Sequence, residues 1–236
     1  AEKNKELNVL NNTKDRFFSI VSHDLRSHIS AFQGTGRLVK HFFDKKDEEK
    51  LDAVTAEIDK NANNLSQLLD NLLQWSVGQL KGYEPKLVSI EVKSACQEIL
   101  EVFAPVADIK GLRLVNDLDD ADKVLADRGA LAVTLRNLIA NAIKFTEQGE
   151  VRVSSQKQGT ELVISVKDTG MGIPEEIRAH LFEINEEKIR RGTKNEKGTG
   201  LGLNLAYEFT KINGGRLEVQ SEVGVGTSFL IHLNHA

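Results

Sequence analysis

Leu135–Thr146 reads LRNLIANAIKFT, inside a helical run at about 128–145. Asn137 and Asn141 stand four apart, on one face of that helix, and Lys144 and Phe145 follow directly. An amide pair so spaced suits a hard cation, although Asn at i, i+4 is more often simply solvent-facing. Two glycine-rich stretches downstream sharpen the choice. Asp168-Thr-Gly-Met-Gly-Ile-Pro174 comes directly after a strand, and Gly198-Thr-Gly-Leu-Gly-Leu203 opens a helix. Gly170 and Gly172 let backbone approach a ligand with no Cβ between them, and Asp168 is an acceptor for an exocyclic amine. Glycines ahead of a helix N-terminus expose N–H groups that favour phosphate. Singly, each stretch reads as an ordinary turn. Together they predict a Mg–ATP site on an unusual fold. GTGLGL lacks the dinucleotide spacing, and no GxxxxGK[ST] loop occurs.

Around these stretches β-type runs fall at 86–90, 112–116, 123–126, 149–155, 161–167, 216–221 and 227–233, with helical runs at about 91–109, 128–145 and 200–213. The last four strands form two hairpin-type pairs, and the helices are grouped rather than alternating strictly with strands. This predicts an α+β sandwich with one mixed sheet backed by helices.

The amino-terminal part has a different texture. In Phe17–Ile29, FFSIVSHDLRSHI, an apolar or near-apolar stripe starts at Phe18 and continues through Val21, Leu25, His28, Phe32, Thr35, Val39 and Phe42. At about 100° per residue, His23 lies opposite that stripe, with Asp24 beside it and Ser27 one turn on. A histidine so placed faces water and a second body, though a lone surface histidine is the commoner occurrence. The helical pattern runs from Glu2 to about Phe43, with Gly34 and Gly36 as weak points. A second helix carries Leu51, Val54, Ile58, Asn61, Leu65, Leu68, Leu72 and Trp75 on one stripe. The polar turn Asp44–Glu49 joins the two into an antiparallel hairpin, whose broad apolar face predicts pairing with a second copy as a four-helix bundle. The helical pattern fails around Gly78–Pro85, which divides the chain into domains at 1–80 and 81–236.

Composition narrows the function. The 31 basic and 35 acidic residues leave a net charge of −4, which argues against a nucleic-acid partner. One cysteine, Cys96, allows no intrachain disulfide. No apolar run reaches the roughly 18–20 residues that span a bilayer.

Taken together, these motifs resemble those of the two-component sensor histidine kinases. SHDLRSHI is similar to their H box and LRNLIANAIKFT to their N box. DTGMGIP and GTGLGL resemble the two glycine boxes, LFE at Leu181–Glu183 a short F box, and GGRLEVQSEVGVGTSF at Gly214–Phe229 the closing strand segment. The resemblance covers essentially the whole chain in the family's order. It implies a dimeric phosphotransfer hairpin followed by an α/β-sandwich ATP-binding domain of the gyrase, Hsp90 and MutL type.

Carried over position by position, the resemblance makes His23 the phosphoacceptor and Asp24 the neighbour that orients its ring. Asn141 becomes the magnesium ligand, with Asn137 supporting the phosphate side, Lys144 reaching the phosphates and Phe145 lining the nucleotide pocket. Asp168 would take the adenine amine, with Gly170, Gly172 and Ile173 beside the base and Thr227 near it through water. Gly198, Thr199, Gly200, Leu201, Gly202 and Leu203 would shape the phosphate cradle. Implied partners are a second copy of the chain and the receiver domain of a response regulator. The chain is expected to be a cytoplasmic part of a longer protein, with its sensor module upstream and an anchor in the inner membrane as one arrangement.

Three positions depart from the family pattern. His28 stands where proline is usual, which weakens the expected kink. Ser27 replaces Thr or Asn, leaving at most a weak phosphatase activity toward the regulator. The lid LFEINEEKIRRGTKNEKG lacks the second aromatic; Arg190, Arg191, Lys194 and Lys197 are its candidate phosphate contacts, with a solvated charge run as the alternative for at least two of them. These departures leave open a catalytically impaired, nucleotide-regulated dimeric scaffold.

Overall fold

A computed structural model of the chain describes residues 22, 25, 29, 30, 32, 34–79, 84–182, 193 and 201–236, with side chains at 60, 63, 64, 67, 68 and 70–79 outside that description. Two compact units divide between Ser76 and Val77.

In the first unit, Ser22, Leu25, Ile29, Ser30 and Phe32 are helical, and α1 (Thr35–Asp44) follows Gly34. Gly34 has φ 111°, so the helix expected to run unbroken to Phe43 is interrupted there. No atom lies within 4 Å of where its Cβ would sit, so the residue choice is conformational rather than steric. α1 ends on Lys46, which has φ 56°. The Lys46 N–H donates to the Phe43 carbonyl and the Asp47 N–H to the Phe42 carbonyl, each at 3.0 Å. These are the two bonds of a Schellman end. Asp47 then opens α2 (Glu48–Gln79) by accepting the Lys50 N–H at 3.2 Å. The Lys50 ammonium, and then that N–H, hold its carboxyl below its ordinary value.

The 32 residues of α2 run through Gly78, where the sequence pattern predicts failure. One glycine costs a helix about 1 kcal/mol against alanine, which a helix of that length absorbs. Burial follows the predicted stripes: Leu25, Phe32, Thr35, Val39 and Phe42, then Leu51, Val54, Ile58, Asn61 and Leu65, are half-buried. None of the described residues of this unit is fully buried. No helix among the described residues is long and apolar enough to cross a membrane.

The second unit runs β1 (Val88–Glu91), α3 (Val92–Lys110), β2 (Leu112–Asp117), β3 (Lys123–Ala126), α4 (Arg128–Phe145), β4 (Gly149–Gln158), β5 (Glu161–Asp168), α5 (Glu175–Arg178), α6 (Gly202–Ile212), β6 (Arg216–Glu222) and β7 (Gly226–Asn234). Five strands form a mixed sheet in the order β2-β4-β5-β7-β6. Only β2 and β4 are parallel in it; β4–β5, β5–β7 and β7–β6 are antiparallel. One departure from expectation is the partition of strands: β1 and β3 stand apart as a two-stranded ladder. Each is four residues long and runs straight into a helix, which turns the chain aside before it can extend the larger sheet. A single bridge, Val124 to His235, reaches across.

One face of the sheet is dry. Val151, Val153, Leu162, Ile164, Val166 and Ile231 pack there with Cys96, Ile99 and Leu100 of α3 and Leu131, Leu135, Leu138 and Ile139 of α4. Burial of each large side chain contributes about 1.5–3 kcal/mol, and α4 buries eight of its 18 residues. Its polar positions are thereby held in a fixed direction.

Candidate nucleotide site

The start of α4 is locked first. Asp127 Oδ1 accepts the Ala130 N–H at 3.0 Å and Oδ2 accepts the Lys86 N–H at 3.1 Å, while the Asp127 N–H donates to Asn213 Oδ1 at 2.7 Å. Asn137 and Asn141 then emerge half-buried from the face beside the apolar stripe. Asn137 Nδ2 donates to the Val133 carbonyl at 2.9 Å. Its Oδ1 faces the first residue of α6, and a Cβ on Gly202 would lie 2.6 Å from it. Glycine at 202 is what allows α6 to approach α4. The Asn141 amide takes no hydrogen bond among the described residues. Lys144 Nζ stands 5.1 Å over the Phe145 ring.

The end of α4 presses on the first glycine loop. The Met171 N–H donates to the Phe145 carbonyl at 3.2 Å, and a Cβ on Gly170 would fall 2.4 Å from that oxygen. Asp168 closes β5 at 4% exposure. Its Oδ1 accepts the N–H groups of Gly170 at 2.9 Å and Thr227 at 3.1 Å. Its Oδ2 has no hydrogen-bond partner among the described residues. Burial pushes this carboxyl up from its ordinary value, against the pull of the two N–H groups.

Gly172 has φ 69°, and a Cβ there would meet the Glu222 carbonyl at 2.1 Å. The Ile173 N–H donates to Ser221 Oγ at 2.8 Å, which is also 2.8 Å from Thr227 Oγ1. A Cβ on Gly226 would lie 2.1 Å from the Asp168 carbonyl.

Asp168, Gly170, Gly172, Ile173 and Thr227 are thus gathered at one place, joined through Met171 to the end of α4. Asn137 and Gly202 meet where α6 packs on α4. Leu201 is 1% exposed, so its side chain belongs to the core and only its backbone could serve a ligand. Leu203 packs half-buried against the core. The Thr227 hydroxyl already engages Ser221. Phe182 stacks on Tyr207 of α6 at 5.0 Å, and Asn204 Nδ2 donates to its carbonyl at 3.0 Å. His23, Asp24, Ser27, His28, Arg190, Arg191, Lys194, Lys197, Gly198, Thr199 and Gly200 lie outside the described residues. Sequence reasoning missed Ser221 and Gly226. Both sit in the quoted closing segment, but only strand register shows that they face the Asp168 loop.

The donor set fits a nucleotide. One oxygen of the buried Asp168 carboxylate is left open for an amine, and the glycines let the surrounding backbone pack closely about the loop. The unengaged Asn141 amide oxygen is a hard donor of the kind magnesium accepts. Among the described residues no three His, Cys, Asp or Glu side chains converge as a metal cage.

Residues 126–236 match the family described as histidine kinase-, DNA gyrase B-, and HSP90-like ATPase. Over 232 residues the chain is 32% identical to sensor histidine kinase AruS of Pseudomonas aeruginosa, across 94% of this chain and 23% of that protein. It is 28% identical over 229 residues to signal transduction histidine-protein kinase BarA of Escherichia coli, across 94% of this chain and 24% of that one. The chain therefore spans about a quarter of the length of these relatives. In three dimensions it is similar to full-length ShkA in complex with AMPPNP, with a TM-score of 0.63 at 25% identity over 92% of this chain and 46% of that one. Residues 126–236 are therefore an ATPase domain of the histidine kinase-, DNA gyrase B- and HSP90-like family, in a chain that is similar over 94% of its length to sensor histidine kinases of two-component signal transduction.

Proposed function

We propose that this chain is the phosphotransfer and catalytic portion of an autophosphorylating histidine kinase, which moves the γ-phosphoryl group of ATP to His23 and from there to an aspartate of a response regulator. The observation that carries the nucleotide half is Asp168, with one oxygen satisfied by the backbone of Gly170 and Thr227 and the other without a hydrogen-bond partner among the described residues. An open acceptor on a largely buried side chain selects a ligand with a matching donor, which adenine's exocyclic amine supplies. The similar protein ShkA holds AMPPNP, in agreement with this reading.

In the proposed reaction a neutral ring nitrogen of His23 attacks the γ-phosphorus in line. An N–P bond forms, the P–O bond to ADP breaks, and Asp24 accepts a hydrogen bond from the other ring nitrogen and steadies the charge growing on the imidazole. Asn141 and Asn137 hold the phosphate end, and positioning supplies most of the rate. Magnesium, when bound, neutralises phosphate charge at Asn141. The first unit serves as a helical hairpin that dimerises: its stripes are only half-buried in one chain, and Leu38 and Phe43 remain 48% and 69% exposed. The division at 1–80 and 81–236 gives the catalytic domain freedom to visit His23, and Ser27 keeps a weak phosphatase role.

Incubation with γ-labelled ATP and magnesium tests this. The label should be acid-labile and base-stable, and should map to His23. His23→Gln should bind ATP normally and take up none; label on that variant would overturn the acceptor assignment.

A further inference from the structure

Lys110 ends α3 half-buried. Its Nζ donates to the carbonyls of Ile143 at 3.0 Å and Lys144 at 3.2 Å, and to Thr193 Oγ1 at 3.2 Å. Those carbonyls belong to the last turn of α4, where the helix stops before an i+4 N–H can reach them. An ammonium there also faces the negative end of the helix dipole. Thr193 returns to the same turn: its N–H donates to the Lys144 carbonyl at 3.1 Å, and its hydroxyl lies 3.2 Å from that oxygen. One cation thus ties three parts of the chain that are remote in sequence.

We propose that Lys110 is a positioning residue of the nucleotide site, fastening the turn that bears Asn141, Lys144 and Phe145 to Thr193 and so setting ATP affinity without touching ATP. This rests on the nucleotide reading above. Without the ammonium, the Ile143 carbonyl loses its donor, the Lys144 carbonyl keeps only Thr193, and the turn frays. Phe145 then shifts, and its carbonyl is what holds Met171 and bounds Gly170. The site loosens from behind.

The test compares Lys110→Met, Thr193→Val, Thr193→Ser and the Lys110→Met/Thr193→Val double variant in the whole chain. The probe is trinitrophenyl-ATP, and autophosphorylation is measured alongside. Lys110→Met should weaken probe binding and raise the KM for ATP about 10-fold, with kcat at saturating ATP within about twofold. Thr193→Val should lose about 3-fold, Thr193→Ser should match the parent, and the double variant should be no weaker than Lys110→Met alone. A merely structural lysine would lower Tm and leave KM unchanged, which overturns the proposal, as would losses that simply add. Should Lys110→Met not fold, equal probe affinity of Thr193→Val and Thr193→Ser would overturn it. Failure of the parent chain to bind the probe would instead bring down the nucleotide reading, and this inference with it.

Discussion

A buried carboxylate with one open oxygen is a cost to the free protein, and at Asp168 that cost has a sign that can be measured. Its ordinary value is 3.8 and burial raises it in the fold, so the folded chain binds this proton more tightly than the unfolded chain does. Stability from this group is fully present below the ordinary value and is lost as pH rises through the raised one. Asp168→Asn keeps an Oδ1 for the Gly170 and Thr227 N–H groups but has no proton to lose. Relative to the variant, the parent should therefore lose stability as pH rises from about 4 toward neutrality; parallel unfolding curves across that range would refute the assignment. On the proposed nucleotide reading, the variant also turns a donor toward the adenine amine. A mispaired charged hydrogen bond costs about 1.5–3 kcal/mol, so nucleotide affinity by calorimetry should fall about 10- to 100-fold. Asp168, Gly170 and Gly172 were legible in the sequence because a carboxylate and two glycines at a strand end make a local pattern. Ser221 was not, since its place opposite Thr227 depends on the β6–β7 register.

Elements show the same division between local and long-range causes. Strand and helix positions in the second unit follow from side-chain alternation and periodicity, and β3 lies at 123–126 as read from sequence. The separation of β1 and β3 from the main sheet has no local signature, because an edge strand of either sheet carries the same alternation. At Gly34 the helical pattern continues across the break: the sequence marks a weak point there, and the backbone shows the interruption. Lys46 is the sharpest case, for lysine carries no signal for a left-handed conformation. It holds φ 56°, where an L side chain costs about 1–2 kcal/mol. Glycine there would remove that strain while adding about 0.4–1 kcal/mol of unfolded-state entropy. Lys46→Gly should consequently stabilise the first unit by about 0.5–1 kcal/mol, read from its transition by calorimetry. Lys46→Ala, which keeps the Cβ, should gain nothing; an equal gain from alanine would show that the lysine side chain, not the backbone, is the source.

At the scale of the whole molecule, the two units bury their apolar residues to different depths. The first half-buries its stripes, while the second closes a core that contains the chain's single cysteine. Cys96 is fully enclosed in α3, and burial pushes its thiol up to about 12. Neither a thiolate nor an access route exists in the folded state. A disulfide reagent at neutral pH should reach Cys96 only when the domain opens, making its labelling a clock for global unfolding. Nucleotide bound to the folded form alone stabilises it by RT ln(1 + [L]/Kd), about 2.7 kcal/mol at 100 times Kd. Labelling at that ATP concentration should therefore slow about 100-fold, and Asp168→Asn should lose most of this protection while its core remains intact. If labelling is fast, or slows far less than binding requires, α3 opens on its own. The core beneath α4 and the nucleotide site would then unfold as separate units rather than one.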